Sequence, residues 1–173
     1  MENSSPLPDR KHHRLSALVY AKTEYEFFFT ICARQHGAPF REVALADEVI
    51  NSLLWTKNRY GWLLYCYCLM PDHLHFMCRL TKQDLEPVSH GARGAQPLGV
   101  LDHIARFKSY TTQLSWSHGI EGALWQRSSY DRVLDMEQPF VEIAEYVLNN
   151  PVRRELAKTW EEWKYSRVVD PWW

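Results

Sequence analysis

The sequence predicts an α+β fold: an antiparallel sheet with helices in the order β-α-β-β-α-β, followed by one further helix. Two observations carry this. Apolar runs rich in β-branched and aromatic residues, YEFFFTIC from Tyr25 to Cys32 and GWLLYCYCLM from Gly61 to Met70, have the length and composition of strands. Between and after them, apolar residues recur at helical spacing.

The chain of 173 residues fits one domain, expected to span 17–173 behind a flexible N-terminal arm over 1–16. With 46% hydrophobic and 24% charged residues, disordered and collagen-like architectures are excluded. No apolar run approaches the roughly 20 residues that span a bilayer, and Glu2, Pro6, Pro8 and Asp9 leave no apolar signal-peptide core. The expected location is therefore cytoplasmic, with no membrane partner. A net charge of -1 gives no global positive field, so any surface for phosphates must be local. Cys32, Cys66, Cys68 and Cys78 contain no C-x-x-C pair and read as reduced packing residues.

The arm carries the basic cluster Arg10, Lys11, His12, His13 and Arg14. After the first strand, QHGAP marks a turn, and Ala46, Val49, Ile50, Leu53 and Leu54 form a helical stripe that Gly61 terminates. The next strand is interrupted by Pro71-Asp72, and an extended pattern resumes from His73 to Leu80, giving a hairpin. Thr81 to Gly99 reads as a surface loop. The second helix covers Leu101 to Trp116 with a stripe of Leu101, Ile104, Phe107, Lys108, Thr111 and Leu114, and a fourth strand falls within Ala123 to Leu134. That order is ferredoxin-like. For the last helix, Asp135 and Gln138 have capping-box spacing, Pro139 lies in the first turn, and Phe140, Ile143, Ala144, Val147 and Leu148 line one face until Pro151 ends it. The tryptophan-rich tail from Trp160 to Trp173 is expected to pack against the domain.

Strand periodicity puts His73, His75, Met77 and Arg79 on one face and Leu74, Phe76, Cys78 and Leu80 on the other. Two imidazoles two residues apart can offer adjacent nitrogens to one metal ion, or form an ordinary hydrogen-bonded pair; Arg79 could meet a phosphate. On the last helix, Tyr146 lies off the apolar stripe, and Asn150 follows four residues later on the same surface. Asn150 precedes a proline, so its amide either caps the helix or turns out to offer an oxygen to a metal. Two histidines and an amide oxygen would leave positions open on Mg²⁺ or Mn²⁺, beside which a tyrosine could attack a scissile phosphate. A phenol ordinarily ionises near 10, so such a nucleophile needs positioning and charge stabilisation.

MPDHLHF from Met70 to Phe76, LWQRSSYDRV from Leu124 to Val133, YVLNNPV from Tyr146 to Val152, and the ending Trp163-Lys164-Tyr165-Ser166 occur in this order. In this set the chain resembles the single-tyrosine HUH transposases of the IS200/IS605 type, and within them the REP-associated tyrosine transposases, from about Tyr20 to Ser166. The resemblance implies that His73 and His75 are paired metal ligands, Asn150 the third ligand, and Tyr146 the nucleophile. It implies a divalent cofactor, Mg²⁺ or Mn²⁺, and as partner a single-stranded DNA with a hairpin, a REP-like inverted repeat. The reaction would cleave that strand through a 5′-phosphotyrosine intermediate, releasing a 3′-OH. Arg10, Lys11, Arg14, Arg79, Arg127, Arg132, Arg153, Arg154 and Tyr130 are candidates for the DNA surface, as stacking or phosphate-contacting groups; Trp125 reads as core. Tyr110 is a rival nucleophile, disfavoured because Leu114 and Gln113 stand where a ligand asparagine would be needed. The alternatives are a domesticated module that binds the hairpin without cutting it, and a phosphodiesterase in which water attacks. Both a monomer and a homodimer fit a domain of this size.

Overall fold

The apolar runs become the inner strands of one antiparallel sheet. The structure, a computed structural model, describes residues 17–34, 37–81, 99–134 and 140–172. The expected arm, nearly all of the 81–99 loop, and Asp135, Gln138 and Pro139 lie outside the described residues, as do Arg10, Lys11 and Arg14.

The strands are β1 (Glu26–Cys32), β2 (Leu63–Leu69), β3 (His73–Arg79), β4 (Tyr130–Leu134) and β5 (Ser166–Val168), in the sheet order β4-β1-β3-β2-β5. The helices are α1 (Ala17–Tyr20), α2 (Val43–Tyr60), α3 (Val100–Trp116), α4 (Phe140–Leu148) and α5 (Asn150–Arg153). Every pairing is antiparallel, and the first four strands give the ferredoxin-like order 4-1-3-2. Among the described residues no helix is long and apolar enough to cross a membrane.

The sheet is covered on both faces. On one, Phe27, Phe29, Ile31, Leu74, Phe76 and Cys78 pack with the apolar sides of α2 and α3; on the other, Phe28, Met77, Cys66 and Cys68 meet Ala144, Val147 and Leu148 of α4. Period two in β3 therefore sorts its residues as the sequence predicts. β2 departs from strict alternation: a bulge between Leu64 and Cys66 turns both Tyr65 and Cys66 toward α4. The four cysteines form no disulfide, and Cys66, Cys68 and Cys78 are buried.

Gly61 terminates α2 in the left-handed region, φ 74°, where a side chain would be strained. On α3 the buried face is Val100, His103, Ile104, Phe107, Thr111 and Ser115. The predicted stripe is thus rotated, and Lys108 reaches out to the carbonyls of Gln126 and Arg127 at 2.6 and 3.1 Å. Trp125 is core, its indole N–H donating to Thr111 Oγ1 at 2.7 Å.

The C-terminal third differs from expectation in two respects. Pro151 does not simply end the tyrosine helix: α4 stops at Leu148, and Pro151 sits in the first turn of α5, where its missing N–H costs nothing. The tail not only packs on the domain but adds β5 to the edge of β2. Trp163 Nε1 donates to the Leu69 carbonyl at 3.0 Å, and the fully buried Ser166 Oγ donates to the Leu148 carbonyl at 3.1 Å, tying the end of α4 to the sheet.

Ser166→Ala leaves the Leu148 carbonyl without that donor and should cost about 1 kcal/mol. Thermal unfolding should show it as a Tm lower by about 2–4 °C, with amide exchange accelerating first in the last turn of α4. A second expectation concerns His103, which accepts from Trp62 Nε1 at 2.7 Å and which burial pushes down to about 4. An unfolded histidine takes its proton near pH 6.5, so this contribution is complete above pH 6.5 and lost as pH falls toward 4. Urea midpoints followed over that window should decline, and decline less in His103→Gln.

Candidate active site

The site lies where β3 begins, on the sheet face that α4 covers. The Pro71-Asp72 turn closes the β2–β3 hairpin, with Met70 N–H donating to the His73 carbonyl at 2.8 Å, and delivers His73 as the first residue of β3. The pleat then brings His75 to the same side. Their Nε2 atoms meet at 2.9 Å, with ring centroids 4.5 Å apart and planes at 80°.

Each ring is held from behind. His73 Nδ1 lies 2.6 Å from Asp72 Oδ1 and His75 Nδ1 lies 2.7 Å from Thr30 Oγ1, because the β1–β3 register sets Thr30 opposite His75. The carboxylate can only accept, so His73 donates from Nδ1. Two lone pairs cannot face each other at 2.9 Å. Either a proton carried by one of the two rings lies between them, or both lone pairs share a cation. Thr30 suits both states, since a hydroxyl donates to an imidazole Nδ1 or accepts from it.

His75 is buried at 4% exposure, and burial pushes its pKa down to about 3, with the charges of His73, Arg153 and Arg154 adding to the shift and a hydrogen bond with Asn150 opposing it. A neutral imidazole at neutral pH is the form that ligates metals. Asn150, also buried, donates from Nδ2 to the Tyr146 carbonyl at 2.7 Å, so its Oδ1 is the atom left to accept beside His75. The helix-end bond of Asn150 is thus made through its Nδ2, and its Oδ1 lies on the His75 side. Among the described residues no group of three or more His, Cys, Asp or Glu side chains is assembled for a metal. The available donor set is two imidazoles and an amide oxygen, all neutral, which fits a divalent ion whose charge must stay available to a phosphate.

Tyr146 is 40% exposed, its ring 5.7 Å from that of His75 and edge-on to Phe28 at 6.1 Å. The Arg153 guanidinium lies over it at 4.7 Å. Arg153 and Arg154 are exposed at the site and close enough to act on His75. Tyr130 and Arg132 stand exposed on β4, on the same face; Arg127 is exposed beyond the strand's start. Arg79 lies at the far end of β3, six residues from His73, and pairs with Glu26 at 3.4 Å. Tyr110 stands on α3, across the sheet from both histidines. Thr30, Phe28 and Ser166 support the site and are absent from the candidates that sequence reasoning supplies. The signal that could find Thr30 is its place in a strand opposite an H-x-H strand, a long-range register.

No family model matches the chain. A Haemophilus influenzae protein described as uncharacterized is 22% identical over 169 residues, covering 82% of this chain and 89% of its own. The structure of a REP-associated tyrosine transposase bound to a REP hairpin superposes with a TM-score of 0.62 at 15% identity, covering 85% of this chain and 78% of that one. The chain therefore has the fold of that transposase, with the paired histidines on its central strand and the tyrosine on the helix that follows the four-stranded core.

Proposed function

We propose that the protein is a metal-dependent, single-tyrosine endonuclease and strand transferase of the REP-associated HUH transposase type, acting on hairpin-bearing, REP-like single-stranded DNA. The observation that carries this is the meeting of Tyr146, at 5.7 Å between ring centroids, with an imidazole pair whose Nε2 atoms converge at 2.9 Å. The shared fold with a hairpin-bound transposase supports the substrate class.

In this mechanism His73, His75 and Asn150 hold the divalent cation, Mg²⁺ or Mn²⁺. When bound, that cation supplies positive charge to the scissile phosphate. Tyr146 is the nucleophile. Its oxygen bonds to phosphorus as the bond to the 3′ oxygen breaks; the phenol gives up a proton and the departing oxygen gains one, leaving a 5′-phosphotyrosine and a 3′-OH. Because one phosphodiester replaces another, rejoining needs no ATP. Asp72 and Thr30 fix the ring orientations, and Arg153 lies against the tyrosine ring while adding charge for the DNA backbone.

Incubated with Mn²⁺ and a single strand carrying the inverted repeats that flank the gene, the wild type should form a covalent adduct detectable by denaturing gel and mass spectrometry. Tyr146→Phe should abolish the adduct with hairpin binding intact, and His73→Ala and His75→Ala should each suppress it. Cleavage without any tyrosine-linked nucleotide would point to attack by water; hairpin binding without cleavage in the wild type would point to a domesticated module. Thr30→Val should lower Mn²⁺ affinity about 10- to 100-fold by calorimetry, as loss of a ligand-orienting partner does, and Thr30→Ser should restore it.

A further inference from the structure

β4 is an edge strand, and two of its side chains, Tyr130 and Arg132, stand exposed on the face that carries His75. The registers align Tyr130, Thr30 and His75 in one row across three strands, and Arg132, Phe28 and Met77 in the next. Adjacent strands lie about 4.8 Å apart, which sets Tyr130 about 10 Å from His75 along that row, and Arg132 about 7 Å further along β4. Phe28 joins these groups: its buried ring stacks on His75 at 5.6 Å and takes Tyr146 and Tyr130 edge-on at 6.1 and 6.2 Å. Tyr130 is thereby oriented by a fixed ring, yet 60% of it remains exposed.

The charge on this face has the same sense. Its strand and turn acids are engaged, Glu26 with Arg79 and Asp72 with His73, and Glu142 and Glu145 are exposed on α4; on the β4 and α5 side Arg132, Arg153 and Arg154 stand exposed. Asp131, between Tyr130 and Arg132 in sequence, points to the other face and bonds Tyr20. An exposed aromatic ring with flanking guanidinium groups matches what unpaired nucleic acid needs: a flat surface for a base and cations for its phosphates.

We propose that Tyr130 and Arg132 form a single-strand platform on β4: the base of an unpaired nucleotide near the scissile phosphate stacks on the Tyr130 ring, and Arg132 meets the adjoining backbone phosphate. The platform rests on the function proposed above and adds to it the path of the unpaired strand, out from Tyr146 over Phe28 to the sheet edge.

A short fluorescein-labelled oligothymidylate and an abasic strand of equal length, titrated at low salt and read by fluorescence anisotropy, test it without requiring cleavage. Wild type should bind the base-bearing strand about tenfold more tightly than the abasic one. Tyr130→Ala should erase that preference and Tyr130→Trp should keep it, while Arg132→Gln should weaken both strands equally and flatten the salt dependence. The control is Trp55→Ala, an exposed ring lining a groove of about 580 Å³ between α2 and α3 on the opposite side of the sheet. A preference that survives Tyr130→Ala, that vanishes in Trp55→Ala, or that is absent from the wild type overturns the platform. The two proposals fail separately: a Tyr146 adduct alongside an unchanged preference in Tyr130→Ala removes the platform alone, and a Tyr130-dependent preference with no adduct removes the nuclease alone.

Discussion

Two imidazole nitrogens brought to 2.9 Å of each other form the contact to which the rest of the site is subordinate. Unprotonated, they repel; the contact survives only with a proton or a cation between them. The protein offers no third way, because Asp72 fixes His73 from behind and burial among Phe28 and Tyr146 keeps His75 from carrying its own charge. Thr30 is a partner that tolerates both states, since its hydroxyl can reverse direction. The register of β1 against β3 is therefore a functional specification as well as a folding one: a slip of one residue would put Ile31 or Phe29 beside His75 and leave that nitrogen without an oxygen.

A chain with a net charge of -1 meets a polyanion only if its charges are sorted in space. Several acids away from the site are bound to bases: Asp170 to Lys57, Asp47 to Lys164, and Glu42 and Glu48 to His118. On the site's own face Glu26 is taken up by Arg79. Exposed around Tyr146 are Arg132, Arg153 and Arg154 together with Glu142 and Glu145 of α4, so the cations gather toward β4 and α5. Surface pairs contribute little to stability; here their consequence is that Glu26, on the face that carries His75, is held by Arg79 at the far end of β3.

The site is legible from sequence where the information is local. The alternation in HLHFMCR fixes which side of β3 holds the histidines, and helical projection sets Tyr146 off the apolar stripe of α4; both follow from backbone periodicity alone. What stays hidden depends on pairing across the chain. β5 is three residues long and carries Ser-Arg-Val, too short for a pattern, and forms because β2 offers an open edge. The bulge at Leu64 and Cys66 disappears inside an apolar run in which every residue looks alike. Arg79 has the period of the site but not its location, because strand length carries it away and Glu26 on β1 claims it. The rotation of the α3 stripe toward His103 reflects a buried partner, Trp62, that no helical wheel contains.

The break between α4 and α5 links Asn150 and the two histidines to Tyr146. Asn149 and Pro151 prevent the helix from continuing regularly, so Asn150 opens a new turn while its side chain reaches back to the Tyr146 carbonyl. One amide thus has two tasks, its nitrogen holding the turn that bears the tyrosine and its oxygen facing His75. An aspartate at this position would keep the oxygen but lose the donor, and would place a negative charge beside His75. The asparagine adds no charge beside the imidazole pair and fastens the turn of Tyr146 to it by a single side chain. Ser166 secures another carbonyl of that turn, Leu148, to the sheet, so the end of α4 is fixed at both Tyr146 and Leu148, and Tyr146 is left with its ring as the part free to meet a substrate.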